Sequence, residues 1–146
     1  MERQDNLGQL ILTLSNTIIK NRNHHLEDLN LTAAQADSLK FFLTHEQATI
    51  KDLKEHLDIT HQTAQGLVAR LAEKGLVTLR RSSSDKRCQR VSVTEAGHLL
   101  GDRITGNRRR TGRLLLHGMS EEETEIFIRL LRRAYENVKD DGKGME

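Results

Sequence analysis

At 146 residues, 36% hydrophobic and only 3% aromatic, the chain suits a single domain with a modest core packed by Leu, Ile, Val and Ala. Lys and Arg number 23 against 21 Asp and Glu, a formal net charge of +2 and a pI near 8.9, so bulk charge alone does not mark a polyanion binder. The single cysteine, Cys88, excludes an internal disulfide, no apolar run approaches the roughly 20 residues of a membrane span, and Met1–Asp5 lacks a signal-peptide core; the expectation is a soluble cytoplasmic protein with no membrane partner.

The chain has no proline, so helix starts are read from polar caps. Leu7, Leu10, Ile11, Leu14 and Ile18 recur at helical spacing and predict a first helix from about Asp5 into Asn23-His24-His25. Thr32, with Gln35 at the capping-box position, opens a second helix whose inner side is Ala36, Leu39, Phe42 and Leu43. Thr49 opens a short third helix with Asp52 three residues on and Leu53 and Leu57 inward. Thr60 caps a fourth, with Ala64, Leu67, Val68 and Leu71 as its apolar stripe and Lys74-Gly75 as its stop.

The period then changes. Leu76–Arg81 reads as a strand, Ser82-Ser83-Ser84-Asp85 as a turn, and Arg90–Val93 as a returning strand. Thr94-Glu95 starts a fifth helix reaching about His117, in which Gly101, Gly106 and Gly112 are unfavourable and point to bending, close approach or mere tolerance. Ser120 with Glu123 is a capping box for the last helix, striped by Ile126, Phe127, Leu130, Leu131, Ala134 and Val138. Glu121-Glu122-Glu123 complements that helix's positive end. The terminal helices carry apolar stripes that call for a partner, and pairing across a two-fold axis meets that need.

Two short helices joined by Asp58-Ile59-Thr60 make a helix-turn-helix, with Ile59 as the apolar plug. By helical phase Gln62, Gly66 and Ala69 point outward, flanked by Thr63, Gln65 and Arg70. Gln pairs well with adenine edges, and small or methyl-bearing side chains meet the thymine methyl, so this face suits a major groove. The hairpin tip sets Arg81, Lys86 and Arg87 around serines, a phosphate-binding and minor-groove-entering composition. It lies in a basic stretch, Arg80 to Arg113, whose only acids are Asp85, Glu95 and Asp102.

These residues resemble the MarR-type bacterial transcription regulators. The matching stretches are Leu31–Gln35, Thr49–Leu53, Ile59–Thr63, Arg70–Val77, and above all Asp85-Lys86-Arg87 followed by Val91-Ser92-Val93-Thr94-Glu95-Ala96-Gly97. The resemblance implies a mainly α fold with a β-hairpin wing. The winged-helix lobe would cover about 32–97, and dimerisation helices about 1–30 and 98–146, in one domain. It implies a homodimeric repressor on a pseudo-palindromic operator in double-stranded DNA, released by a small aromatic or phenolic effector, with no cofactor, metal or enzymatic activity. DNA-binding candidates are Thr60, His61, Gln62, Thr63, Gln65, Gly66, Arg70, Arg81, Ser82, Ser83, Asp85, Lys86 and Arg87. In the family the wing aspartate orders the hairpin and the wing arginine reaches the minor groove, which assigns those roles to Asp85 and Arg87. Asp58 stands where members commonly have Gly, and Asp tolerates the left-handed conformation this turn needs.

Of the seven histidines, none forms a helical i, i+4 ligand pair; His24 and His25, at the end of the first helix, are candidates to line a ligand or dimer cleft. Cys88 sits between Arg87 and Arg90, but family peroxide sensors carry their reactive cysteine near the N-terminus, where this chain has none. The competing functions are a winged-helix module that binds protein instead of DNA, and a small-molecule carrier or enzyme, for which no catalytic motif is present.

Overall fold

The computed structural model describes residues 2–81 and 89–141. The elements are α1 (Glu2–Asp28), α2 (Ala33–Thr44), α3 (Ile50–Leu57), α4 (His61–Glu73), β1 (Val77–Arg81), β2 (Gln89–Val93), α5 (Glu95–Leu116) and α6 (Glu121–Val138). Their order is the expected one. The chain divides into two compact units, Met1–Arg108 and Arg109–Glu146.

In the first unit the polar caps form as the sequence predicts. Thr32 Oγ1 accepts the Gln35 N–H at 3.2 Å while the Gln35 amide oxygen accepts the Thr32 N–H, and Thr49 and Asp52 repeat the exchange at α3. Helix α1 is longer than the sequence reading gave it. No glycine or proline stops it, and its last turn buries Leu26. It ends only where Asn30 turns left-handed, at φ 56°, bringing Leu29 and Leu31 into the core. An ion pair of 2.6 Å between Arg22 and Asp37 joins α1 to α2.

The core centres on Leu39, Leu53, Ala64, Val68 and Leu71, all at 0% exposure. Leu43, Leu57 and Leu67, expected inward, lie at the rims of their stripes and are half-buried. Phe41 is buried as well, stacked on His45 and His56 with ring centroids 4.4 and 4.7 Å away.

Strands β1 and β2 pair antiparallel, from Val77 opposite Val93 to Arg81 opposite Gln89. Leu76 precedes β1 rather than opening it, and Gln89 extends β2 by one residue. Beyond the hairpin, Thr49 bridges Arg90, the Val91 N–H donates to the Ala48 carbonyl at 2.9 Å, and the Arg90 guanidinium donates to the Gln47 carbonyl at 3.0 Å. The entry to α3 therefore serves as a short third edge that fixes the wing root.

Two glycines of α5 are buried contacts. A side chain at Gly101 would strike a Leu43 methyl, and one at Gly97 would strike the Leu76 carbonyl and come within 2.6 Å of Val93 Cγ1. Gly106 and Gly112 have open space around their missing side chains. Close approach therefore explains Gly101 alone of the three glycines singled out in the sequence.

In the second unit, Gly118 at φ 83° turns the chain between the end of α5 and α6. Ser120 and Glu123 complete the capping box there, and the hydrogen bonds from Ser120 hold the Glu123 carboxyl below the usual carboxylate range. No residue of α6 is buried; Ile126, Leu130, Leu131 and Val138 are 39% to 65% exposed. On α1, Leu7, Leu10, Ile11 and Leu14 are likewise 41% to 65% exposed. No helix of the described residues is long and apolar enough to cross a membrane.

Candidate nucleic-acid interface

The reading helix is positioned by what lies beneath it. Asp58 adopts the left-handed conformation, φ 53° and ψ 53°, and the Ile59 N–H donates to the Lys54 carbonyl at 3.2 Å. Ile59 then packs against the core as the plug of the turn. Thr60 caps α4: its hydroxyl oxygen accepts the Thr63 N–H at 3.1 Å and donates to Thr63 Oγ1 at 2.8 Å. The Thr60 hydroxyl is thus committed to the cap, which leaves Thr63 Oγ1 its own proton to offer outward.

With Ala64, Val68 and Leu71 fully buried, the opposite face of α4 is set. His61, Gln62, Thr63, Gln65, Gly66, Ala69 and Arg70 are all exposed. Gly66 faces open space, and Arg70 is 4.0 Å from Glu73 with a largely exposed side chain. The structure therefore gathers His61, Gln62, Thr63, Gln65, Gly66 and Arg70 on one helix. Arg81 is exposed at the end of β1. Ser82, Ser83, Asp85, Lys86, Arg87 and Cys88 lie outside the described residues.

The wing is anchored by Thr94. Its hydroxyl donates to the Gly75 carbonyl at 2.6 Å and accepts the Gly97 N–H at 3.1 Å, while its own N–H donates to the Leu76 carbonyl at 3.0 Å. Gly97 fits because that carbonyl occupies the space of a side chain. The Lys-Gly-Leu-Val and Thr-Glu-x-Gly segments are thus one junction, joining the end of α4, β1 and the start of α5.

His24 and His25 are on α1, outside the helix-turn-helix. His24 is exposed and lines an α1 concavity of about 670 Å³ with Asn16, Ile19, Lys20, Asn23 and Glu27. His25 is half-buried, and its Nε2 has no partner among the described residues.

Sequence reading missed Lys51, Lys54 and Gln89. Together with Thr49, Ile50, His61 and Gln65 they line a cavity of about 390 Å³ flanking the first turns of α4. The available signal was the three-residue spacing of the lysines, which places them on one side of α3.

Comparison with known proteins agrees with this architecture. The sequence profile of the MarR family matches residues 29–87. The organic hydroperoxide resistance transcriptional regulator of Bacillus subtilis (strain 168) is 31% identical over 103 residues, 70% of each chain. Among solved structures, a MarR family protein from Bacillus stearothermophilus superposes with a TM-score of 0.79 at 23% identity, over 95% of this chain and 98% of its own. The S. aureus MepR–DNA complex gives 0.70 at 23% identity, over 89% and 96%. At such identities the structural likeness is one of fold.

Proposed function

The chain belongs to the MarR family of transcription regulators, and we propose that it acts in the cytoplasm as a homodimeric repressor of a pseudo-palindromic DNA operator. The observation that carries this reading is α4 itself. Its inner face is locked into the core, and its outer face is small, polar and exposed, with Gln62, Thr63 and Gln65 in its first turns. Gln62 and Thr63 are assigned to base edges in the major groove, with Gln65 and Arg70 beside them. His61 and the α4 N-terminus serve phosphate, and Gly66 allows close approach. Arg81, Ser82, Ser83, Lys86 and Arg87 are assigned to the wing contact, with Arg87 entering the minor groove and Asp85 ordering the tip.

The exposed stripes of α1 and α6 support the dimer, since each is wider than a monomeric surface helix ordinarily shows to water. A two-fold dimer sets its two reading helices one helical turn apart, which is why the operator is assigned pseudo-palindromic form. The effector assigned is a small aromatic or phenolic molecule. It releases DNA only by preferring a dimer geometry in which that spacing is lost. The His25 Nε2, without a partner among the described residues, supports a role for α1 in holding it. The Bacillus subtilis relative is named for organic hydroperoxide resistance. Here the sequence has one cysteine, Cys88, far from its first residues, and reversible binding is proposed over thiol oxidation.

The test is binding to the DNA upstream of the protein's own coding sequence. Sequence preference, with Kd rising steeply as salt increases, supports the reading; absence of binding at low salt overturns it. His24→Ala and His25→Ala variants that retain every effector response would remove those residues from the effector site.

A further inference from the structure

Beside the reading helix lies the cavity of about 390 Å³ to which Lys51, Lys54, His61, Gln65 and Gln89 contribute. Its walls come from three elements: the start and middle of α3, the first turns of α4, and the first residue of β2. Among the described residues, two lysines line it and no carboxylate does. The nearest acid of the α3 first turn, Asp52, is committed to the α3 cap, accepting the Thr49 N–H at 2.9 Å. Among the described residues no ion pair or hydrogen bond holds either lysine ammonium. Lys51 is exposed and Lys54 half-buried, an arrangement in which an apolar stem packs while the charged head reaches open space.

Concavity, positive charge with no partner among the described residues, and polar N–H donors from His61, Gln65 and Gln89 together describe a receptor for phosphodiester oxygens. Its position selects the source. His61 and Gln65 are one turn apart on α4 and border the reading face, so a duplex seated on that face runs one strand along this flank. We propose that this cavity is a DNA-backbone site. Lys51 and Lys54 each neutralise one phosphate of that strand, and the side-chain amides of Gln65 and Gln89 fix where the strand crosses. This site rests on the reading of α4 as a major-groove helix and adds a second, sequence-blind contact. It sets the register in which Gln62 and Thr63 meet the bases.

The experiment measures binding of the full-length protein to its operator and to a scrambled duplex between 50 and 200 mM salt. Wild type is compared with Lys51→Gln/Lys54→Gln and, as a charge-matched control on α1, with Arg3→Gln/Lys20→Gln. Loss of two phosphate contacts lowers the logarithmic salt slope by about 1.8, so wild type loses about twelvefold more affinity across that range than the cavity variant. Weakening on operator and scrambled DNA alike, with the ratio between them retained and the control unchanged, is the expected result. A cavity variant with the wild-type slope overturns the site while leaving the reading of α4 standing. A changed operator preference overturns it too, because the lysines would then read bases. Failure of wild type itself to bind removes the reading of α4, and the site with it. Matching thermal melts of the three proteins exclude misfolding.

Discussion

Gly97 provides a stringent test of the packing that holds the wing. Its Cα lies so near the Leu76 carbonyl oxygen that an added methyl would overlap that atom, and it would stand 2.6 Å from Val93 Cγ1. Neither neighbour yields easily. The Leu76 carbonyl accepts the Thr94 N–H at 3.0 Å, and Val93 is paired with Val77 in the hairpin. In Gly97→Ala, overpacking costs about 1–3 kcal/mol and loss of the displaced hydrogen bond about 1 kcal/mol more. Alanine's better helix propensity returns about 1 kcal/mol. The net expectation is a loss of about 1–3 kcal/mol. Urea melts at one fixed protein concentration measure it; with a slope of roughly 2 kcal/mol/M, the midpoint falls by about 0.5–1.5 M. The internal control is Gly106→Ala: same helix, open space around the new methyl, and a gain of about 0.5–1 kcal/mol. If Gly97→Ala melts at or above wild type, the junction is not packed as described.

Three further outcomes follow from single groups. Lys74 at the end of α4 donates to the Asn30 carbonyl and, at 3.0 Å, to Gln35 Oε1, tying α4 to the turn between α1 and α2. Lys74→Met should cost about 1 kcal/mol and lower Tm by about 3 °C, and an unchanged melt would contradict this tie. Gly66→Ala should stabilise the fold by about 0.5–1 kcal/mol, since nothing opposes its methyl, whereas Gly66→Leu should abolish operator binding. Retained binding by the leucine variant would show that the helix does not enter a groove there. The Ser120 hydrogen bonds lower the Glu123 pKa, so the carboxylate's stabilising contribution is present above its unfolded pKa. That contribution disappears as pH falls through the lower folded value. The stability gap between wild type and Glu123→Gln should therefore be open at neutral pH and closed in strong acid; urea melts at the two pH values check it.

Local chemistry made most of the fold legible in the sequence. Thr32, Thr49, Thr60 and Ser120 announce their helices because each cap is a contact between near neighbours in the chain. Asp58 is readable for the same reason, since one side chain's tolerance of a left-handed backbone decides the turn. What escaped depends on distant pairing. The bridge of Thr49 to Arg90 and the grip of Arg90 on Gln47 join residues more than forty positions apart, and no period records them. Gly97 and Gly101 look alike to Gly106 in a sequence; only the Leu76 carbonyl and the Leu43 methyl distinguish them. On the candidate interface, helical phase alone identified the outer face of α4. The lysines of α3 became visible only when the turn brought them beside His61 and Gln65.

The claim that α4 reads operator bases is tested most directly by comparing wild type with Gln62→Ala on the operator and on single-base-pair variants of it. The account predicts that the substitution lowers operator affinity by about 1–3 kcal/mol and erases discrimination at one symmetric pair of positions, while scrambled DNA is bound as before. Identical affinity and identical base preference in the two proteins would contradict it.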